Sequence, residues 1–203
     1  MHDIWVVARK EFREQLQRRG EVMRYLWVAV IFGGGMPLVN VINGPRVLKM
    51  SSLIWLCYAG IFIASGATLG AFFTERQRGT LESLLATPLS DTAIFLGKVL
   101  FSLFISIFSV VAAVAIELIA VNAALAINSG LRAGFGDAPF AFPGVIYFGL
   151  LVTLPTILLH TISTGTLISL RTSNIRTANL LNMLSVLPLA LPIGVLALFV
   201  PAG

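Results

Sequence analysis

Five long apolar segments constrain the fold of this chain more than any other feature of its sequence. They cover residues 25–41, 51–73, 93–127, 145–170 and 179–200. About 20 apolar residues in an α-helix cross a hydrocarbon core roughly 30 Å thick, and a helix satisfies its own backbone hydrogen bonds in lipid. The segments therefore predict an all-α, polytopic transmembrane helical bundle of about five spans, built as a single domain over residues 1–203.

The composition supports a membrane protein and argues against a nucleic-acid-binding one. Hydrophobic residues make up 57% of the chain and charged residues only 11%, which is too apolar for a soluble domain of this size. The net charge of +5 does not indicate a nucleic-acid partner, because the basic residues cluster at the ends of apolar segments. That distribution is typical of membrane orientation and of contact with anionic lipid.

The first 22 residues have the pattern of a helix that lies in the membrane interface. Trp5, Ala8, Phe12 and Leu16 fall on one helical face, and the remaining positions are mostly charged. A basic amphipathic helix with an aromatic anchor binds at the lipid surface with its apolar face down. Taken alone, the segment is equally compatible with a short soluble helix or an electrostatic lipid anchor.

A charged segment, residues 74–90, separates the second and third apolar segments. Within it, Leu81, Leu84 and Leu85 are spaced to form one apolar stripe on a helix. Thr80 follows a glycine and can cap the helix N-terminus, while Pro88 ends the helix because proline lacks an amide hydrogen. We therefore predict a short amphipathic helix over residues 76–88 at the membrane surface.

The sequence E-R-Q-R-G-T-L-E-S-L-L-A-T-P-L-S, which begins at Glu75, resembles the hallmark of membrane subunits of type-2 ABC exporters, the ABC-2 type transporter permeases. The family pattern is E-R-E-x-G-T-L-E-x-L-L-x-T-P-x-S, and it joins the second and third spans. Gln77 departs from it. Eleven of the sixteen positions match: Glu75, Arg76, Gly79, Thr80, Leu81, Glu82, Leu84, Leu85, Thr87, Pro88 and Ser90.

The resemblance implies partners and roles. Residues 1–22 would be the interfacial elbow helix and residues 76–88 the cytoplasmic coupling helix that contacts a separate ATPase subunit. A second permease subunit, identical or similar, would complete the transporter. Glu75 and Arg76 would anchor the coupling segment, the leucine stripe would seat it, and Glu82 would face the partner.

We expect the partner chain, and not this one, to hydrolyse ATP. This sequence contains no G-x-x-x-x-G-K-[ST] phosphate-binding loop, so ATP and Mg are expected on the ATPase subunit and no cofactor is expected on this chain. The family that the sequence resembles usually has six spans with both termini inside. Because the present sequence stops after the fifth apolar segment, we expect a further span in the native protein, with a five-span variant as the alternative.

Several polar residues within the apolar segments are candidate functional positions. Glu117 could lie near the outer interface, where water reaches it, or in a polar pathway. His160 has no second ligand at metal-binding spacing, so no metal site is predicted, and Thr164 belongs to a string of hydroxyl residues suited to bonding a neighbouring helix. Lys98, near the end of its segment, is expected to snorkel toward the headgroups.

Small residues four positions apart in the second segment predict close helix packing. Gly66 and Gly70 provide this spacing, and the partner helix could belong to the same subunit or to another one.

The distribution of basic residues predicts the orientation. With the N-terminus in the cytoplasm, eleven of the 14 Lys and Arg residues fall on the inner side and three on the outer side. The outer residues are Arg46, Lys49 and Arg132. This places the coupling segment in the cytoplasm. The family resemblance implies that the membrane is a prokaryotic-type plasma (inner) membrane.

The function that these features favour is a permease subunit of an ABC exporter. A non-transporting ABC-like membrane scaffold would retain the same coupling helix and stays open as an alternative. A secondary transporter is less favoured, because little charge lies near the middle of the spans. H-E-x-x-H and G-x-S-x-G motifs of intramembrane enzymes are absent from the sequence. Neither the substrate nor the choice between homodimer and heterodimer follows from the sequence.

The charge asymmetry makes a topological prediction. In intact cells, cysteines introduced by Ser83→Cys and Ser173→Cys should be shielded from a membrane-impermeant thiol reagent, while Ala133→Cys should react. The single native cysteine, Cys57, lies inside an apolar segment and should contribute little background. Labelling of the Ser83→Cys variant from outside would overturn the orientation.

Overall fold

The computed structural model describes residues 2–17, 19–77, 79, 90–172 and 174–198. Every regular element in these ranges is helical. The helices are α1 (His2–Gln17), α2 (Arg19–Val30), a π-helical turn (Ile31–Gly35), α3 (Met36–Val41), α4 (Pro45–Gln77), α5 (Asp91–Ile127), α6 (Ser129–Phe135), α7 (Gly144–Arg171) and α8 (Ile175–Leu198).

Four helical stretches in the described residues are long and apolar enough to cross a membrane. They are Arg19–Val41, Pro45–Phe72, Asp91–Ile127 and Gly144–Arg171. The fifth apolar segment of the sequence lies in α8, a helix of 24 residues. The all-α polytopic fold class is therefore confirmed, and the chain is an integral membrane protein.

Helix α4 lies at the centre of the bundle. It packs against α5, α7 and α8, and its side chains at Leu48, Leu56 and Ala64 are fully shielded. With 33 residues it is about 50 Å long, and α5, with 37 residues, is about 55 Å long. Both helices exceed the hydrocarbon thickness of about 30 Å, so each extends into the interface on at least one side.

The first span is interrupted by a π-helical turn where it crosses α5. A Cβ atom on Gly33 would lie only 2.3 Å from the Ala113 carbonyl oxygen, so no larger residue fits at this crossing. The glycines at 33–35 and Pro37 weaken the regular helix, and the chain accommodates the crossing with a π-helical turn in place of α-helical hydrogen bonds.

Helix α1 packs along α5 and presents an unusual face to it. Val7, Glu11 and Gln15 are buried, whereas Trp5 and Phe12 are 61% and 47% exposed. Trp5 and Phe12 belong to the predicted apolar face and remain free for lipid. The buried side of α1 is instead partly polar, and this face enters the site described below. Ala8, predicted on the lipid face, is buried, and the Leu16 side chain lies outside the described set.

The packing of α1 on α5 depends on Gly97. A Cβ atom there would lie 2.6 Å from Val7 Cβ and 3.0 Å from the Ile4 carbonyl oxygen. We predict that Gly97→Ala lowers stability by about 1–3 kcal/mol, because overpacking forces the helices apart. Thermal unfolding in detergent would measure the loss.

Gly20→Ala is the matched control, since a Cβ atom on Gly20 meets nothing within 4 Å. Alanine favours a helix by about 1 kcal/mol over glycine, so this variant should be neutral or more stable. Equal effects of the two substitutions would refute the close contact.

Candidate functional site

The structure describes both ends of the charged segment but little of its middle. Helix α4 continues through Gln77, so Glu75, Arg76 and Gln77 form part of its last turn, and the first two residues of the predicted 76–88 helix belong to α4. The following predicted coupling residues lie outside the described residues: Thr80, Leu81, Glu82, Leu84, Leu85, Thr87 and Pro88.

Local backbone and side-chain geometry marks the end of α4 and the beginning of α5. Gly79 is exposed and has a φ of 67°, a left-handed conformation that favours glycine and is common just after a helix. Ser90 caps α5: its Oγ accepts a hydrogen bond from the Ala93 amide at 3.2 Å. Residues 78–89 therefore connect two long helices whose ends are locally defined.

A buried ion pair lies where these two helices meet α1. Lys98 Nζ donates to Glu11 Oε1 at 2.6 Å and to the Ala71 carbonyl oxygen at 3.0 Å, and it lies 5.5 Å from the centre of the Phe72 ring. The Lys98 side chain is 0% exposed. We call this arrangement, formed by Glu11, Ala71, Phe72 and Lys98, the lysine clamp.

The expectation that Lys98 snorkels to the headgroups is wrong. Glu11 on the buried face of α1 supplies a counter-charge inside the protein, and the Ala71 carbonyl supplies a further acceptor, so the ammonium group is satisfied without leaving the bundle. The clamp joins α1, the end of α4 and the beginning of α5 through one side chain.

Aromatic ring pairs connect the same three helices. The Phe72 and Phe95 rings lie 6.0 Å apart and connect α4 to α5, while Trp5 and Phe104 lie 6.2 Å apart and connect α1 to α5. Such ring pairs add about 0.5–1.5 kcal/mol each beyond simple burial. The three helices are therefore held together by packing as well as by charge.

Glu117 lies on the same helix as Lys98, nearer its other end. Its carboxyl group is fully buried, and Oε1 accepts a hydrogen bond from Ser52 Oγ on α4. Ser52 Oγ also lies 2.7 Å from the Leu48 carbonyl oxygen, and Glu117 Oε2 has no hydrogen-bond partner among the described residues. Of the two environments predicted for Glu117, the one in which water reaches the carboxyl group is wrong for this chain.

His160 and Thr164 belong to a polar network between α4, α7 and α8. The His160 Nε2 atom lies 3.1 Å from the Ser185 carbonyl oxygen, and Thr164 Oγ1 donates to Asn182 Oδ1 at 2.8 Å. Asn182 Nδ2 then donates to Ser65 Oγ on α4 at 2.9 Å. The described contacts join His160 and Thr164 in one network, whereas Glu117 bonds elsewhere.

The sequence reasoning missed Asn182 and its two serine neighbours in this network, Ser65 and Ser185. Asn182 is fully buried, and its amide nitrogen occupies space that a Cβ atom on Gly165 would need, at 2.9 Å. An asparagine three residues inside the apolar 179–200 segment was the available signal, since an amide in a span usually bonds a neighbouring helix.

Gly66 and Gly70 contact side chains of the same chain. A Cβ atom on Gly66 would lie 3.0 Å from Arg24 Nη2, and one on Gly70 would lie 3.9 Å from Gln15 Nε2. The closest helix crossings of the described structure involve Gly33 and Gly97 instead. No group of three or more His, Cys, Asp or Glu side chains within the described ranges is arranged to hold a metal ion.

Comparison with known protein families identifies the family to which this chain is similar. The family described as ABC-2 type transporter matches residues 2–198, which include all the helices described above and the charged segment. No curated protein matched the chain in the corresponding search.

The lysine clamp makes a prediction about stability. Lys98→Met should destabilise the protein by about 3–5 kcal/mol, because it leaves the Glu11 carboxylate buried without its cation. The double variant Glu11→Leu/Lys98→Met should recover most of this loss, since it replaces both charges by apolar groups. Unfolding midpoints in detergent would show the difference.

The exposed pair of Lys10 and Glu14 on the same helix provides a control. Its atoms are 3.6 Å apart and its side chains are 46% and 44% exposed. Lys10→Met should change stability by less than about 1 kcal/mol. A double variant as unstable as Lys98→Met would show that the charges are not what couples these helices.

Proposed function

The chain belongs to the ABC-2 type transporter family, and from this membership we propose that it is the permease subunit of an ABC exporter, driven by a separate ATPase subunit. Membership establishes a membrane permease domain of an ABC transporter. The direction of transport, the contact with the ATPase and the cytoplasmic position of the N-terminus are parts of the proposal.

The observation that carries the proposal is the placement of the charged segment. It connects the two longest described helices, and both of these also meet α1 at the lysine clamp. A force applied to residues 78–89 would act directly on α4 and α5, which are long enough to carry a displacement across the bilayer. The matched sequence motif supports the same assignment of residues 75–90 as the coupling segment.

In this mechanism the chemical energy comes from the partner. ATP and Mg would bind to the ATPase subunit, and closure of that subunit on ATP would push the coupling segment. Leu81, Leu84 and Leu85 would seat the segment in the partner, with Glu82 at the contact. The movement would pass to the spans as a rigid-body displacement of packed helices.

The pathway would form between this chain and a second permease subunit. Glu117, His160 and Thr164 remain its candidate polar residues. In the described structure all three make hydrogen bonds within the chain, and Glu117 keeps one unbonded oxygen. Their exposure to a substrate would require α4, α5, α7 or α8 to separate, which is the kind of change that alternating access involves.

The leucine stripe provides the test of coupling. Leu84→Asp should abolish co-purification of the ATPase subunit and ATP-driven transport, because it places a charge in an apolar contact that we expect to contribute about 2 kcal/mol or more. Membrane insertion should be unaffected. Ser83→Asp, outside the stripe, is the matched control and should retain both activities.

Two results would contradict the proposal. If Leu84→Asp still co-purifies with an active ATPase, the coupling assignment is wrong. If the wild-type pair assembles and hydrolyses ATP but moves no substrate across vesicles, the chain is a scaffold of the same family and not a transporting permease.

A further inference from the structure

An apolar groove opens on the lipid-facing surface between α1, α2 and α5. It has a volume of about 750 Å³, within the range of roughly 300–1,000 Å³ typical of sites for small ligands. Trp5 and Phe12 on α1, Leu26 and Ala29 on α2, and Phe104 and Phe108 on α5 line it. All of these except Ala29 are substantially exposed, so the groove is open along its length.

The depth of the groove matches one leaflet of a bilayer. Its lining on α5 extends from Phe101 to Ala112, a rise of about 16 Å along the helix. Half of a hydrocarbon core is about 15 Å thick. One end of the groove lies at α1, which carries the charged residues of an interfacial helix, so the other end reaches toward the bilayer centre.

Two polar residues also line the groove, but their polar atoms are not open to it. Gln15 and Tyr25 are 7% and 6% exposed. The Gln15 Oε1 and Tyr25 hydroxyl oxygens are shielded by the packed helices. The surface that the groove presents to an occupant is therefore almost entirely apolar.

A cationic side chain lies at the same site. Arg9 lines the groove and is exposed, and no ion pair of Arg9 is found within the described part of the chain. A guanidinium group binds phosphate oxygens in a paired geometry, and each basic residue near a membrane surface attracts anionic lipid by about 1 kcal/mol.

We propose that this groove binds one anionic phospholipid of the leaflet in which α1 lies. An acyl chain fills the apolar part, and the phosphate pairs with Arg9 at the charged end of the groove. The proposal depends only on the chain crossing a membrane, and therefore stands apart from the proposed transport function.

A second copy of the chain is the main competing occupant, and the groove fits it less well. A helix face that filled the apolar part would bury Arg9 at the contact, where an unpaired charge costs several kcal/mol. A phospholipid satisfies the apolar and the charged parts of the groove in one molecule.

The first experiment blocks the groove. The whole protein, purified in detergent, would be incubated with phosphatidylglycerol, and bound lipid would be counted by native mass spectrometry. Ala112→Trp, which fills the groove, should lower the affinity for phosphatidylglycerol at least about tenfold, or roughly 1.4 kcal/mol. Ala115→Trp is the matched control, because Ala115 lies on the same helix, is exposed and does not line the groove.

The second experiment tests the phosphate contact with surface substitutions that leave the packing intact. Arg9→Gln should reduce the preference for phosphatidylglycerol over phosphatidylcholine about fivefold, the equivalent of one charge near the surface. Arg13→Gln, exposed on the same helix and outside the groove lining, should keep the preference.

Two outcomes would overturn the proposal. One is equal lipid binding by Ala112→Trp, Ala115→Trp and the wild type, together with equal selectivity of the two arginine variants. The other is a loss of self-association by Ala112→Trp at unchanged lipid binding, which would assign the groove to a second copy. Should Ala112→Trp fail to fold, unchanged selectivity in Arg9→Gln would be sufficient to reject it.

Discussion

A single buried ammonium group, that of Lys98, determines how the helices are joined at the end of the bundle that carries the charged segment. It bonds Glu11 of α1 and the Ala71 carbonyl of α4 while belonging to α5. A charge in this environment is tolerated only with a counter-charge and further acceptors, so the three helices are required to stay together. The close approach of Gly97 to Val7 and two aromatic ring pairs join the same three helices.

Elsewhere in the bundle, small residues and hydrogen bonds replace the hydrophobic effect as the source of specificity. Lipid tails are as apolar as leucine, so helices gain little by burying leucine against one another. Gly33 instead lets the first span approach Ala113, and Gly165 leaves room for Asn182 to reach Ser65. Together with the other buried polar contacts, they determine which helices become neighbours in a largely apolar bundle.

The sequence predicted the parts of the fold that depend on local properties. Segment length and apolarity suffice for the all-α membrane class, because lipid leaves the backbone few alternatives. The environments of single polar residues could not be predicted, since their partners are remote in the chain. Glu11 and Lys98 are 87 residues apart, and Ser52 and Glu117 are 65 apart. Without knowledge of those contacts, a lysine near a helix end is predicted to snorkel, and a glutamate is predicted to be exposed to water.

Helix α1 has a polar face and an apolar face, and the polar one is buried, which is the reverse of the arrangement in a soluble protein. Its buried face carries Glu11 and Gln15, while Trp5 and Phe12 remain on the surface. In the proposed mechanism, separating α1 from α4 and α5 would leave the charges of Lys98 and Glu11 unpaired, at about 3–5 kcal/mol. Sliding the apolar face of α1 through lipid exposes no charge. A displacement of α4 and α5 therefore carries α1 with it, and the three helices move as one body against the surrounding lipid.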